Sequence, residues 1–74
     1  MHPSSAVRNM HPAILALLKF FDYKHLPVHL QDVSAPFGSL AQQVAERAPH
    51  SPETTVALRK LLEAKDCAVR AVLP

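Results

Sequence analysis

From Ser51 to Leu73 the chain reads SPETTVALRKLLEAKDCAVRAVL, and its apolar residues return at helical spacing. At about 100° per residue, Leu58, Leu61, Leu62, Ala68, Val69 and Val72 share one face, while Arg59, Glu63, Asp66 and Arg70 form a polar stripe opposite. Start signals agree with the pattern. Ser51 is a good N-cap, Pro52 occupies the first helical position where its missing N–H costs nothing, and Glu53 places negative charge at the positive end of the helix dipole. Lys65 is the exception. Its angle puts it in the middle of the apolar face, among Leu58, Leu62, Val69 and Val72, where an unpaired ammonium is costly. Two accounts remain open: the stem covers apolar surface with the ammonium in water, or the ammonium meets an anion or carboxylate across a subunit contact.

The same reading applied upstream predicts two more helices, about 12–22 and about 27–47, ahead of one at about 52–73, with residues 1–10 a flexible arm and 11–74 a single domain. Pro12 opens a short segment, AILALLKFFDY, that is apolar nearly all round. Ile14, Leu17, Leu18 and Phe21 make one stripe while Leu15 and Phe20 point elsewhere, so it is expected to pack on two sides. In the next segment Leu30, Val33, Phe37, Leu40, Ala41 and Val44 keep one face straight through Pro36 and Gly38, which predicts one long kinked helix; a pair of short helices is the alternative. Ala48, Pro49, His50 and Ser51 make a tight connection, so the two long helices are expected to pack antiparallel. The expected fold is all-α, a helical hairpin with a short N-terminal helix, and no stretch alternates as a strand does.

Size turns this into an argument about assembly. A chain of 74 residues builds a core worth only about 3–5 kcal/mol unless something staples it. With one cysteine, Cys67, neither an internal disulfide nor a thiolate zinc site is available. Hydrophobic residues reach 49%, more than so small a domain can cover, so a homo-oligomer is expected. The net charge of +2 suits a small anionic partner, without the basic run of a polynucleotide binder. MHPSSAVRN has no apolar core of a signal peptide, and the apolar run 13–21 is too short to span a bilayer and carries Lys19, so the expectation is a cytoplasmic protein with no membrane partner.

Little in the chain suits catalysis, and no enzyme is expected. His25 and His29, flanked by Asp22 and Asp32, have helical metal-ligand spacing, but Pro27 between them is expected to leave His25 outside the helix, and no metal or other cofactor is assigned. Cys67 has no histidine within sequence reach to activate it, and a single glycine excludes a phosphate-cradling loop. The cadence SLAQQVAERAPHSPETTVALRKLLEAK also suits a helix-turn-helix DNA-binding protein, the runner-up reading. Its second helix, however, opens with Pro52, Glu53, Thr54, Thr55 and Val56, with no Arg, Asn or Gln to read base edges. A third reading is an assembly protein without ligand.

Two stretches, FDYKHLPVHLQDVSAPFGSLAQQV and ETTVALRKLLEAKDCAVRAVL, carry a further signal. Together residues 21–73 resemble the helical-hairpin domain of phage counter-defence sponges, the anti-CBASS and anti-Thoeris proteins that sequester cyclic nucleotide signals in the host bacterial cytoplasm. The resemblance implies symmetric oligomers, hexamers among them, with pockets at subunit contacts that hold cyclic dinucleotides or trinucleotides without cleaving them. By position it implies that Tyr23 stacks on a nucleobase and Arg70 meets phosphate. The lysine such proteins carry midway along the first long helix falls here near Phe37 or Gly38, where no cation stands, which shifts that charge to Lys24 or Lys65. Physically the scheme is coherent. A cyclic dinucleotide has near two-fold symmetry, so an isologous contact that supplies each residue twice matches it without a large pocket in one subunit.

Overall fold

The computed structural model describes residues 11–48 and 51–74; the expected arm, and Pro49 and His50 of the connection, lie outside the described residues. Among the described residues there are three helices and no strand: α1, Pro12–Lys19; α2, Val28–Arg47; and α3, Pro52–Ala71. A proline stands at the start of each. Pro12 and Pro52 are the first residues of α1 and α3, and Pro27 is the N-cap just before α2. At α3 the Ser51 side chain accepts from the Glu53 N–H at 3.1 Å, as its sequence predicts. At α1 the cap is His11, whose Nδ1 accepts from the Ala13 N–H at 3.1 Å. Sequence rules do not single out histidine there, because its ring is an uncommon cap.

α1 stops three residues before its predicted end at 22. The chain does not unwind at Lys19; it tightens. Phe20, Phe21 and Asp22 donate in turn to the carbonyls of Leu17, Leu18 and Lys19 at 3.0, 3.1 and 3.3 Å, the shorter-range bonds that commonly finish a helix. α2 runs through Pro36 as one helix of 20 residues, as its unbroken apolar phase predicts. Pro36 cannot donate to the Asp32 carbonyl, and because both residues are exposed, water can take that bond. α3 reaches Ala71, two residues short of its predicted end, and Val72 and Leu73 follow as a turn that donates back to Val69 and Arg70.

The core consists of Ile14 and Phe21 from the first segment, Ala41 and Ala45 from α2, and Leu58 from α3, all less than 5% exposed, with Leu15, Leu17, Leu18, Phe37, Val44, Leu61 and Leu62 packed around them. α1 touches both long helices, as an element apolar on two sides should. The buried face of α2, however, is turned relative to the predicted stripe. Its buried residues are Leu30, Ser34, Ala41 and Ala45, while Leu40 stays 47% exposed and Val33, Phe37 and Val44 are half-buried. Small side chains explain the rotation: with Ser34, Gly38, Ala41 and Ala45 on that side, neighbouring segments approach the backbone closely, and the larger residues become shoulders of the contact. On α3, Thr54 is buried, and its hydroxyl donates to the carbonyl of Ala48 just beyond α2, which fixes the start of one long helix to the end of the other.

Two substitutions test this packing in opposite directions. Leu58 is fully buried, so Leu58→Ala is expected to cost about 3 kcal/mol, comparable with the whole stability of so small a domain, and to leave circular dichroism at room temperature largely unfolded. The Ser34 hydroxyl is buried with no hydrogen-bond partner among the described residues. Ser34→Ala removes that unmet donor and adds a better helix former, so urea denaturation should show a gain of about 0.5–1 kcal/mol.

Candidate functional site

The residues between α1 and α2 form a short junction held at several points. Its first anchor is local: the Asp22 carboxylate accepts from the Lys24 N–H at 3.2 Å, and the Tyr23 carbonyl accepts from the Leu26 N–H at 3.0 Å, closing a turn. A second comes from α2, where the Gln31 side-chain amide donates to the carbonyls of Leu26 at 2.7 Å and Lys24 at 3.3 Å. Gly38 supplies the third. A Cβ there would stand 3.2 Å from the Phe21 carbonyl oxygen and 3.6 Å from Cδ1 of Tyr23, so the absence of a side chain lets the junction settle closely on the helix, and any larger residue would make the Phe21 carbonyl shift.

The fourth anchor settles where Lys65 points. Its ammonium donates to the Phe20 carbonyl at 2.8 Å, lies 3.3 Å from the Asp66 carboxylate and sits 5.9 Å from the centre of the Phe21 ring, with its side chain only 13% exposed. It therefore neither floats in water nor depends on a partner subunit for its first contact. A cation at the last carbonyls of α1 is where the helix dipole favours it, and the aromatic face of Phe21 adds a cation–π contribution.

Of the four residues assigned from sequence, two lie in the junction, one bonds to its backbone and one stands apart. Tyr23 is half-buried beside Gly38; Lys24 is exposed; Lys65 lies beneath the junction, bonded to its backbone. Arg70 is five residues further along α3, about 7.5 Å along the axis and roughly 140° around it from Lys65, with its guanidinium 3.3 Å from the Cys67 sulfur. On that polar stripe the i,i+4 neighbours Arg59 and Glu63, and Asp66 and Arg70, are not paired: Glu63 is 3.8 Å from Lys60 and Asp66 is 3.3 Å from Lys65. Phe20, expected from sequence on a second packed side of the first helix, is instead 63% exposed and the most open aromatic of the junction. Sequence reasoning passed over Gln31 and Gly38. A glycine inside a helix is a local cost, and that cost was the available signal of a close backbone approach.

What the junction can do chemically follows from its composition. It presents an exposed phenyl ring, the half-buried phenol of Tyr23, and the exposed cations or imidazoles of Lys24, His25 and His29 on a backbone fixed by side-chain hydrogen bonds. Aromatic rings and positive charge within one short segment suit a planar anionic ligand. His25 lies in the turn and His29 in α2, and among the described residues no three His, Cys, Asp or Glu side chains come together as a metal site. At the opening of α3, Glu53 and Val56 face outward while the Thr54 hydroxyl is turned in to Ala48. No helix among the described residues is long and apolar enough to cross a membrane.

Lys65→Met keeps the apolar stem and removes the bond to Phe20. Amide exchange in α1 and the junction is expected to quicken, corresponding to a loss of about 1 kcal/mol, while α2 and α3 amides beyond the contact keep their protection. Gly38→Val pushes methyls against the Phe21 carbonyl and the Tyr23 ring, and thermal melting should fall by several degrees despite the removal of a helix-interior glycine. The chain matches no protein-family model, no curated protein and no solved structure.

Proposed function

We propose that this chain is a binding protein that sequesters cyclic oligonucleotide second messengers, intact, at contacts between its own copies, as a counter-defence sponge does. In this reading α2 and α3 form an antiparallel hairpin, α1 and the junction dock against it, and assembly brings ligand-binding side chains of several copies together. The observation that supports it is the junction itself: aromatic and cationic groups displayed on a backbone anchored by Gln31, Gly38 and Lys65. Tyr23 and Lys24 contact base and phosphate there, Lys65 holds the platform and contributes positive charge beneath it, and Arg70 joins from a neighbouring copy, which is consistent with its separation from the other three within one chain.

Energetics are adequate when each group is supplied twice. Stacking contributes about 1–3 kcal/mol per base and each charge-assisted bond to phosphate about 1.5–3 kcal/mol. Two of each sum to about 5–12 kcal/mol before ordering costs, which brings micromolar affinity, about 8 kcal/mol, within reach. Apolar surface for assembly is also present, since Val28, Val56, Val72 and Leu73 remain 45% or more exposed.

Calorimetric titration with cyclic di-AMP, cyclic di-GMP and cyclic tri-AMP, on a sample of known mass in solution, tests the reading. At least one should bind and be recovered unmodified after heat release; a linear product would show an enzyme instead. Tyr23→Ala is expected to weaken binding about tenfold or more with the assembly intact. Unchanged affinity removes the stacking role from Tyr23.

A further inference from the structure

α2 has a side that the rest of its own chain leaves uncovered. His29, Val33, Pro36, Leu40, Gln43 and Arg47 follow one another at alternating intervals of four and three residues, the spacing of a helix–helix seam. All are exposed except Val33, which is half-buried, and Leu40 shows 47% of its surface. A helix face turned to water ordinarily carries charge, yet residues 33–45 are 13 consecutive positions without an Asp, Glu, Lys or Arg. Depletion of charge around an exposed large apolar residue is the composition of an interface centre.

What brackets this stretch identifies its occupant. Asp32 stands before it and Glu46 and Arg47 after it, all three exposed, and neither Asp32 nor Arg47 has an ion-pair partner among the described residues. Glu46 lies roughly 100° round the helix from Arg47 and is engaged by the Gln42 amide at 3.1 Å. The midpoint between Asp32 and Arg47 falls between Ser39 and Leu40. We infer that this face of α2 packs antiparallel against the same face of a second copy, about a two-fold axis at Leu40, with Asp32 of each copy alongside Arg47 of the other. The pattern is self-complementary. An acid at one end and a base at the other, with only Glu46 between them and that carboxylate engaged by Gln42, match a reversed copy at both ends, whereas a parallel copy meets like charges, and a wholly acidic or wholly basic foreign helix is opposed at one end.

The inference rests on the proposal that the chain assembles and names the surface that does it. Sedimentation equilibrium of the full chain across the micromolar range tests it, with helicity followed by circular dichroism. Leu40→Glu is expected to raise the dimer dissociation constant at least about tenfold with helicity retained. Asp32→Arg and Arg47→Asp should each weaken association about two- to fivefold at low salt, and the double reversal should restore it, an outcome that a generally damaged fold cannot produce. A wild-type chain that stays monomeric throughout overturns both this contact and the assembly reading. A wild-type oligomer that is indifferent to Leu40→Glu, or a double reversal that fails to recover, overturns this contact alone.

Discussion

One ammonium group closes this fold. α1 has only eight residues, too few to hold a helix in water, and it persists because its apolar side chains are buried and because Lys65 of α3 reaches its final turn. The bond to the Phe20 carbonyl joins residues 45 positions apart and falls where the chain must leave α1 and turn toward α2. The position of the junction depends on that fastening. With Phe20 fixed, Phe21 enters the core and Tyr23 lies against Gly38.

The close approach of small residues is the complementary constraint. Ala41 and Ala45 are fully buried a turn apart, and Gly38 lies just before them facing the junction. These positions contribute little apolar area of their own, but they let Ile14, Phe21 and Leu58 fill a shared interior. So small a core leaves much of the large apolar surface at the edges, and the molecule therefore has valine, leucine and phenylalanine side chains available for contacts with something else.

Helix content was legible because it rests on local chemistry. Proline starts, the Ser51 cap and the 3.6-residue period are properties of neighbouring residues, and all three helices appear within a few residues of where these place them. The unbroken passage of α2 through Pro36 was legible for the same reason: its apolar phase does not change there. The facing of α2 was not. Hydrophobic patterning follows large side chains, so it took Leu40 for core and missed Ser34 and Ala45, whose burial depends on how near another segment can come. Lys65 shows both sides of this. Sequence marked it as an ammonium on an apolar face needing an explanation, but the explanation is a backbone oxygen at Phe20, and no periodicity encodes which carbonyl a distant turn will expose.

The prolines that open the helices act on the chain before it folds as well as after. Pro12, Pro27 and Pro52 hold their backbone angles near helical or extended values in the denatured ensemble too, so each reduces the disorder that must be given up on folding, by about 0.4–1 kcal/mol where the native geometry accepts it. For a domain whose total margin is only about 3–5 kcal/mol, three such positions amount to a sizeable share of the balance. Part of this protein's persistence is therefore held in what its unfolded chain is unable to do, and no inventory of contacts in the native state would reveal it.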